Sequence, residues 1–399
     1  MIKFSAPALA IALAAGIPSN ANAQGKYPGV SDTEIKLGQT TPYSGPVSSL
    51  AVVSKANLAY FKMINDQGGV NGRKINLISL DDSYTPARTV EQTRRLVEQE
   101  QVAAIFQSMG TPTGAAVQAY LNRQKIPQLF QSTGGDRFND PAQFPYSSHF
   151  SPSYKVEAIL YAKYIMREIP NAKVALLYQN DDFGRDYQNG LRIGFGDQAG
   201  KYIVGETSFL VSDPNVDSQI VTLHGSGANV LVAAATPRAV PQAIRKAFDI
   251  GWKVPILIPS TTANIAVLAP AGLEKAVGVL GGAFMKDPKD KRWADDADTK
   301  AYLNWLAKYY PDGDPADTLI TYGYNAAVLM VHVLKACGDD LSRENINKVA
   351  SNLKDIQLPM FLPGITITTT PEDHTIVSKL QIVRFNGKGW DPVGGLVQK

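Results

Sequence analysis

Apolar runs of strand length alternate with segments of helical period over the first third of the chain. Four apolar runs, of which "VAAIFQS" is typical, enclose three predicted helices at 48–66, 86–100 and 113–124. Polar residues do not alternate regularly within the runs, so we expect strands that are buried on both faces, as in a parallel sheet. The order βαβαβαβ predicts a doubly wound α/β lobe.

A second series of the same kind follows, and it predicts a second lobe. Its apolar runs include "KVALLYQN", "NVLVAAA" and "VPILIPS", and its predicted helices lie at 154–168, 183–195, near Asp217 and at 241–250. The pattern then predicts helices over 298–353, followed by strand-like sequence that ends at residue 385. Two α/β lobes leave a cleft between them, and ligands of open α/β sheets bind outside the carboxyl ends of the strands.

The first 23 residues are typical of a cleaved secretory signal. They carry one lysine, an apolar run interrupted by Pro7 and Pro18, and the small-x-small sequence Ala21-Asn22-Ala23. A membrane anchor is the competing interpretation, but the run is shorter than a bilayer span. We therefore expect a soluble mature protein that begins near Gln24 and lies outside the cytoplasm.

Composition narrows the possible partners. The remaining stretch of about 375 residues exceeds what one hydrophobic core usually serves, which again favours two domains. The formal net charge is +3 and no Lys/Arg-rich run occurs, so nucleic acid and anionic membrane are poor candidates. The single cysteine, Cys337, excludes an intrachain disulfide and is expected to be a buried structural thiol. We expect a monomer.

Motifs for catalysis or metal binding are missing from the sequence. The four histidines, His149, His224, His332 and His374, are far apart, and none has metal-ligand spacing to another candidate ligand. The chain has no nucleophile elbow and no phosphate-binding glycine loop. We therefore expect no metal, no cofactor and no enzymatic activity.

Hydroxyl, glycine and aromatic residues collect instead where the predicted strands end. The stretch "FQSMGTPTGAAV" passes from strand to helix, and the first amides of a helix lack internal partners, so this turn can hold an anion. Such a turn is also a common connection between a strand and a helix without any binding role. Each group of these residues, taken alone, is equally explained as a turn or a helix cap. The placement of all these groups at the ends of the predicted strands favours a ligand-binding role. The candidates are Tyr43, Ser44, Ser48, Ser49, Thr111, Thr113, Ser132, Thr133, Gly134, Asp181, Asp182, Phe183, Thr236, Arg238, Ser260, Thr261 and Thr262.

Three stretches of the sequence resemble a known family. "GVSDTEIKLGQTTPYSGP", the block beginning "MINDQGGVNGRKINLISLDD", and "VALLYQNDDFGRDYQNGL" are similar to periplasmic branched-chain-amino-acid-binding proteins of ABC importers. The resemblance implies the type I periplasmic-binding fold, with three hinge crossings near Tyr146, Gly281 and Leu358. It divides the mature chain into lobe 1 at 24–146 plus 281–357 and lobe 2 at 147–280 plus 358–399. A membrane permease is the implied partner.

The resemblance also implies roles for particular residues. The ligand carboxylate is expected at Thr111 and Thr113 and at Ser132 and Gly134. The loop Ser48–Leu50, which includes Ser49 and Leu50, is expected beside the ligand, and Phe183 is expected to close over it.

The chain departs from this family at the opposite end of the ligand. Similar amino-acid binders place an acid after the "VPILIP" strand, where this chain has Ser260, and an aromatic residue where it has Thr236, with Arg238 two residues on. An unpaired buried ammonium is costly, so we expect an aromatic or other organic acid without an α-amino group. The alternatives are an amino acid whose ammonium pairs with Asp181 or Asp182, and a ligand sensor that presents its ligand to a membrane receptor.

Overall fold

The computed structural model describes Met1 and residues 27–398. Except for Met1, the predicted signal segment 1–23 lies outside the described residues. The chain first builds one lobe around a parallel sheet. Its elements are β1 (Glu34–Thr41), α1 (Ala51–Asp66), β2 (Lys74–Asp81), α2 (Pro86–Arg94), β3 (Ala104–Phe106), α3 (Thr111–Arg123), β4 (Gln128–Gln131) and β5 (Ser147–His149). The five strands are ordered β2-β1-β3-β4-β5, and all pairs are parallel.

The second lobe contains a larger sheet. Its first elements are α4 (Tyr154–Glu168), β6 (Val174–Gln179), α5 (Asp182–Phe195), α6 (Ala199–Tyr202), β7 (Ile203–Phe209), α7 (Asp217–Gly225), β8 (Val230–Ala234), α8 (Ala239–Asp249), β9 (Ile256–Leu257), α9 (Ile265–Leu268) and β10 (Leu280–Ala283). The chain then returns to the first lobe with α10 (Ala297–Tyr309), α11 (Thr318–Ala336) and α12 (Arg343–Ala350), and ends in the second lobe with β11 (Lys379–Phe385) and β12 (Trp390–Gln398).

The seven strands of the second sheet are ordered β12-β11-β10-β9-β8-β6-β7. Strands β6 to β10 pair in parallel, whereas β11 and β12 are antiparallel to their neighbours. Buried side chains form two clusters in this lobe, one containing Leu177 and Ile258 and the other containing Leu176 and Leu257. Successive residues of a strand point to opposite faces, so both faces of this sheet are covered. The predicted fold class, two doubly wound α/β lobes, is confirmed.

Local signals set several of these boundaries. Helix α4 begins after Ser153, whose hydroxyl accepts the Val156 N–H, and α5 ends at Gly196, which has a φ of +58°. Helix α11 packs so closely on α1 that a Cβ at Gly323 would lie 2.4 Å from the Val53 carbonyl oxygen. This close packing fixes the position of α1, whose residue Val53 reaches the space between the lobes.

Strand pairing places the hinge crossings later than the sequence predicts. Strand β5 belongs to the first sheet, so the first crossing follows His149 instead of Tyr146. Gly281 is paired within the second sheet, so the second crossing follows Ala283.

The third crossing differs most. Leu358 and the buried apolar residues up to Val377 pack in the core of the first lobe, and the chain reaches the second sheet only at β11. The alternating sequence "ITITTT" resembles a strand, but within the described residues it forms only two isolated bridges, Ile356 with Ile367 and Thr370 with Asp373. Its apolar residues are buried against the first lobe, and alternation alone does not show which lobe buries them.

Candidate ligand-binding cleft

A cavity lies between the two lobes at the carboxyl ends of the strands. It contains about 680 Å³ of space, including the open space at its mouth. Eight of the predicted site residues line it: Leu50, Thr111 and Ser132 from the first lobe, and Phe183, Thr236, Ser260, Thr261 and Thr262 from the second. The fold therefore brings residues that are far apart in sequence to one small space.

The other predicted site residues lie outside the lining of this cavity. The Tyr43 hydroxyl donates to Ser79 Oγ over 2.8 Å, and Thr113 donates its hydroxyl proton to the Met109 carbonyl. Thr133 Oγ1 lies 2.6 Å from Thr111 Oγ1 and accepts the Gly135 N–H, so it supports Thr111 from behind.

Five further predicted residues have other surroundings. The Gly134 carbonyl accepts the Tyr154 N–H over 2.8 Å, at the first hinge crossing. Ser48, Ser49 and Arg238 line a separate cavity, where Arg238 donates to the Pro214 carbonyl over 3.2 Å. Asp182 forms an ion pair with Arg137 of the first lobe at 2.8 Å.

The start of α3 forms one end of the cleft. Gly110, just before the helix, has φ +102° and ψ 157°, a conformation that essentially only glycine adopts. A Cβ at this position would also lie 2.4 Å from the Tyr84 ring. Thr111 follows, and the N–H groups of Thr111 and Thr113 lack partners within the helix, whereas Pro112 has no N–H and the Gly114 N–H donates to the Gly110 carbonyl over 3.3 Å. This end of the cleft is suited to an anion such as a carboxylate.

Tyr84 is a cavity residue that the sequence prediction missed. Its φ of +58° is rare for a tyrosine and is held by Asp82, whose Oδ1 accepts the Tyr84 N–H over 2.9 Å. The other carboxylate oxygen of Asp82 accepts the Thr89 hydroxyl over 2.9 Å, and burial raises the pKa of Asp82. The signal was present in "DDSY", since Asp and Ser followed by an aromatic residue after a strand is typical of such a turn.

Aromatic and aliphatic side chains form the walls. Phe183 packs against Tyr154 with ring centroids 4.7 Å apart, and Tyr322 packs edge-on against Phe150 at 5.0 Å. Tyr154 and Tyr322 were not predicted, and neither were the other lining residues Val53, Met109, Phe284, Met285 and Leu319. Over the described part of the chain, the cavity lining contains no Asp, Glu, Lys, Arg or His. The cleft is therefore neutral, with hydroxyl groups set in an apolar wall.

A carboxyl group does lie behind Ser260, one layer beneath the wall. Glu157 of α4 is completely buried, and its Oε1 accepts the Ser260 N–H while its Oε2 accepts the Ser260 hydroxyl, each over 2.7 Å. Burial raises the pKa of Glu157, and hydrogen bonds from Tyr161 and Ser260 oppose this shift. The sequence prediction missed Glu157 because it is on another helix, about a hundred residues from Ser260 in the chain.

The two lobes touch on either side of the cavity. In addition to the Arg137 pair with Asp182, Asn264 Nδ2 donates to Asp317 Oδ1 over 2.6 Å. The backbone N–H of Asp136 donates to Asp186 Oδ2 over 2.9 Å. These contacts join one lobe to the other, so the structure corresponds to a closed cleft.

A second cavity of about 1040 Å³, including its mouth, adjoins the first. The two share Ser260, Phe284, Met285 and Thr318 as lining residues, and the second adds the indole rings of Trp293 and Trp390. A ligand larger than a simple amino acid therefore has space on this side of the cleft.

Other candidate chemistry is limited in the described residues. No group of three or more His, Cys, Asp and Glu side chains among residues 27–398 is arranged to hold a metal ion. Cys337 is a free, buried thiol whose pKa is raised by burial to about 12, as expected of a structural residue. None of the helices described has the length and apolar character that crossing a membrane requires.

Two α/β lobes that close over a neutral, hydroxyl-lined cleft define a ligand-binding protein of the periplasmic type. The chain belongs to the periplasmic binding protein family, whose sequence profile matches residues 34–389. The family resemblance predicted from the sequence is confirmed.

Relatives and solved structures agree with this family. The Leu/Ile/Val-binding protein homolog 7 of Brucella abortus (strain 2308) is 25% identical over 229 residues, which cover 55% of this chain and 57% of the relative. The chain thus matches little more than half of that relative's length.

Two solved structures show the same fold. A branched-chain amino acid ABC transporter protein from Thermus thermophilus with bound valine has a TM-score of 0.83 at 21% identity, covering 93% of this chain and 98% of the other. A fatty acid ABC transporter substrate-binding protein from Thermomonospora curvata has a TM-score of 0.77 at 23% identity, covering 94% and 95%.

Proposed function

We propose that this protein is the periplasmic solute-binding component of an ABC importer of the branched-chain amino-acid type, and that it captures a small apolar carboxylate between its lobes. The favoured ligand is an aromatic or other organic acid without an α-amino group. The observation that carries this proposal is the combination of an anion-binding helix start with a cleft wall that contains no charged side chain.

The anion end supports the carboxylate. Thr133 Oγ1 accepts the Gly135 N–H and can donate its own proton to Thr111, which leaves the Thr111 proton available to a ligand. The N–H groups of Thr111 and Thr113 add further donors, and the helix dipole favours negative charge at this end. Hydrogen bonds to a charged group contribute about 1.5 to 3 kcal/mol each.

The lack of an acid in the wall argues against an ammonium group. Neither of the two acids that could replace the missing one lines the cavity: Asp182 pairs with Arg137, and Asp181 caps α5 by accepting the Gly184 N–H. A buried ammonium without a charged partner loses its hydration without adequate compensation. A neutral apolar body, in contrast, is able to pack on Phe183 and Tyr322.

A branched-chain amino acid is the second candidate. The Thermus structure holds valine, and the buried carboxyl of Glu157 lies directly behind Ser260. The fatty acid protein with the same fold supports the first candidate instead. A sensor that presents its ligand to a membrane receptor would use the same cleft and would differ only in its partner.

Calorimetry with matched ligands tests the proposal. Leucine is compared with 4-methylpentanoate, and phenylalanine with 3-phenylpropionate, because each pair differs mainly by the amino group. We expect an acid of one pair to bind with a micromolar or lower Kd and its amino-acid partner to bind at least tenfold more weakly. Tight leucine binding would show that the amino-acid alternative is correct. If none of the four binds, the proposed ligand class is wrong.

A further inference from the structure

Glu157 and Ser260 form a buried pair in the wall of the cleft, and their hydrogen bonds determine what Ser260 offers to a ligand. Ser260 lies in the loop after β9 and lines the cavity, whereas Glu157 is completely buried behind it. The Ser260 N–H is a fixed donor and occupies Glu157 Oε1. The Ser260 hydroxyl donates its only proton to Glu157 Oε2. The oxygen of Ser260 therefore presents only lone pairs to the cleft.

Tyr161 is a further hydrogen-bond partner of Glu157 behind the cleft wall. The Tyr161 hydroxyl lies 2.6 Å from Glu157 Oε1 and 2.8 Å from the Ile258 carbonyl oxygen, but it has one proton for these two acceptors. An ionised Glu157 accepts this proton at Oε1, whereas a Glu157 that carries a proton on Oε1 can donate to Tyr161 while Tyr161 donates to Ile258. Oε2 accepts from Ser260 whether Glu157 is ionised or carries its proton on Oε1.

Close packing keeps the pair in place. A Cβ at Gly282 of β10 would lie 3.1 Å from Ser260 Cβ and 3.2 Å from Glu157 Oε1. The backbone of β10 therefore packs directly against both residues.

We propose that Glu157 is a specificity-determining residue, which fixes Ser260 as a hydrogen-bond acceptor so that the preferred ligand carries a neutral hydrogen-bond donor, such as a hydroxyl, besides its carboxylate. This inference rests on the proposed function, since it assumes a carboxylate at the start of α3. A hydroxyl satisfies Ser260 without the unpaired charge of an ammonium. A second acceptor at this place would face the Ser260 lone pairs and be rejected.

Calorimetry with hydroxylated acids tests the inference. The probes are 3-phenylpropionate, which has no donor, and two hydroxylated relatives, phenyllactate and 3-(4-hydroxyphenyl)propionate. We expect one of the hydroxylated acids to bind about three- to tenfold more tightly than 3-phenylpropionate, as one neutral hydrogen bond provides. In Ser260→Ala this advantage should disappear, so that the hydroxylated acids and 3-phenylpropionate bind with similar Kd.

Glu157→Gln gives a readout that a structural role would not produce. The glutamine oxygen must face the Ser260 N–H, so its amide nitrogen faces Ser260 Oγ and donates to it. The Ser260 proton is then released toward the cleft, and the hydroxylated acid should lose its advantage. Tyr161→Phe is the matched control, because it removes a neighbour of Glu157 but leaves both contacts to Ser260, so the advantage should persist.

Three outcomes would overturn the inference. They are equal binding of all three acids to the unmodified protein, an unchanged hydroxyl advantage in Ser260→Ala, and loss of the advantage in Tyr161→Phe as well. If Glu157→Gln does not fold, Ser260→Ala still decides. Failure of the proposed function is distinguishable, because then none of the three acids binds at all.

Discussion

Thr111 and Thr113 lie two positions apart at the start of α3, yet their hydroxyls have different surroundings. Thr111 lines the cleft and contacts Thr133, whereas Thr113 is buried and donates to the Met109 carbonyl. The sequence prediction treated them as equal carboxylate ligands. The structure favours a binding role for Thr111 and a structural role for the Thr113 hydroxyl.

Replacing each of the two threonines by valine should separate these roles. Thr111→Val is expected to weaken binding of the carboxylate by about 1.5 to 3 kcal/mol, because it loses a hydrogen bond to a charged group. Thr113→Val should lower the free energy of unfolding by about 1 to 2 kcal/mol while the Kd changes little. Calorimetry and urea denaturation of both variants check this. Equal effects of the two substitutions on Kd would contradict the assignment.

At the scale of elements, the turn between β3 and α3 determines the geometry of the anion site. Gly110 permits the turn through its positive φ, and it leaves space for the Tyr84 ring, which belongs to the loop after β2. Gly110 thus allows the start of α3 to pack directly against Tyr84 in the opposite wall of the same site.

Gly110→Ala should therefore disturb binding as well as stability. The added Cβ would meet the Tyr84 ring at 2.4 Å, and we expect a loss of about 1 to 3 kcal/mol in stability together with at least tenfold weaker binding. Gly68→Ala is the matched control, because Gly68 has φ +103° but no atom within 4 Å of an added Cβ. It should lower stability without changing Kd. Ligand affinity unaffected in a folded Gly110→Ala variant would contradict the role of this turn.

The whole molecule must open and close for a ligand to enter a cleft that both lobes line. Closure places Asp186 of the second lobe against the backbone of Asp136 in the first. Burial raises the pKa of Asp186 to about 7, and the negative charges of Asp136 and Asp182 act in the same direction. The hydrogen bond from the Asp136 N–H and the positive charge of Lys155 oppose the shift. If opening of the lobes exposes Asp186, its pKa should return toward the ordinary value of 3.8.

This difference predicts that ligand binding depends on pH. Because the pKa of Asp186 is higher in the closed form, closure takes up a proton between the two pKa values. The free energy that protonation of Asp186 contributes to closure is therefore present at low pH. It falls as the pH rises through about 7 and changes little above that. Between pH 6 and pH 8 we expect the Kd to increase by up to about tenfold.

Asp186→Asn should remove most of this dependence, since asparagine does not titrate in this range. Small-angle scattering provides a second measurement, because ligand should reduce the radius of gyration of both proteins if the lobes close on it. An unchanged radius at saturating ligand would contradict closure, and an unchanged pH profile in Asp186→Asn would assign the titration to another group.

The sequence by itself determined the features that depend on neighbours along the chain. Helix α4 matches its predicted range of 154–168, and α5 ends at Phe195, the last residue of its predicted range of 183–195. The strand-to-helix turn before α3 and the buried thiol of Cys337 were also predicted, since periodicity, caps and apolar surroundings are local properties. Leu50, Phe183 and Ser260 were placed near the ligand through the family resemblance, and they line the cleft.

Only the tertiary structure decided which lobe each returning segment joins and which side chains face the cleft. Residues 358–377 are apolar enough for either core, and only their packing assigns them to the first. Glu157 and Ser260 meet because α4 lies against the loop after β9, a contact between segments far apart in the chain. The direction of a side chain depends on strand register and helix packing, and these are set by contacts across the whole fold instead of by nearby residues.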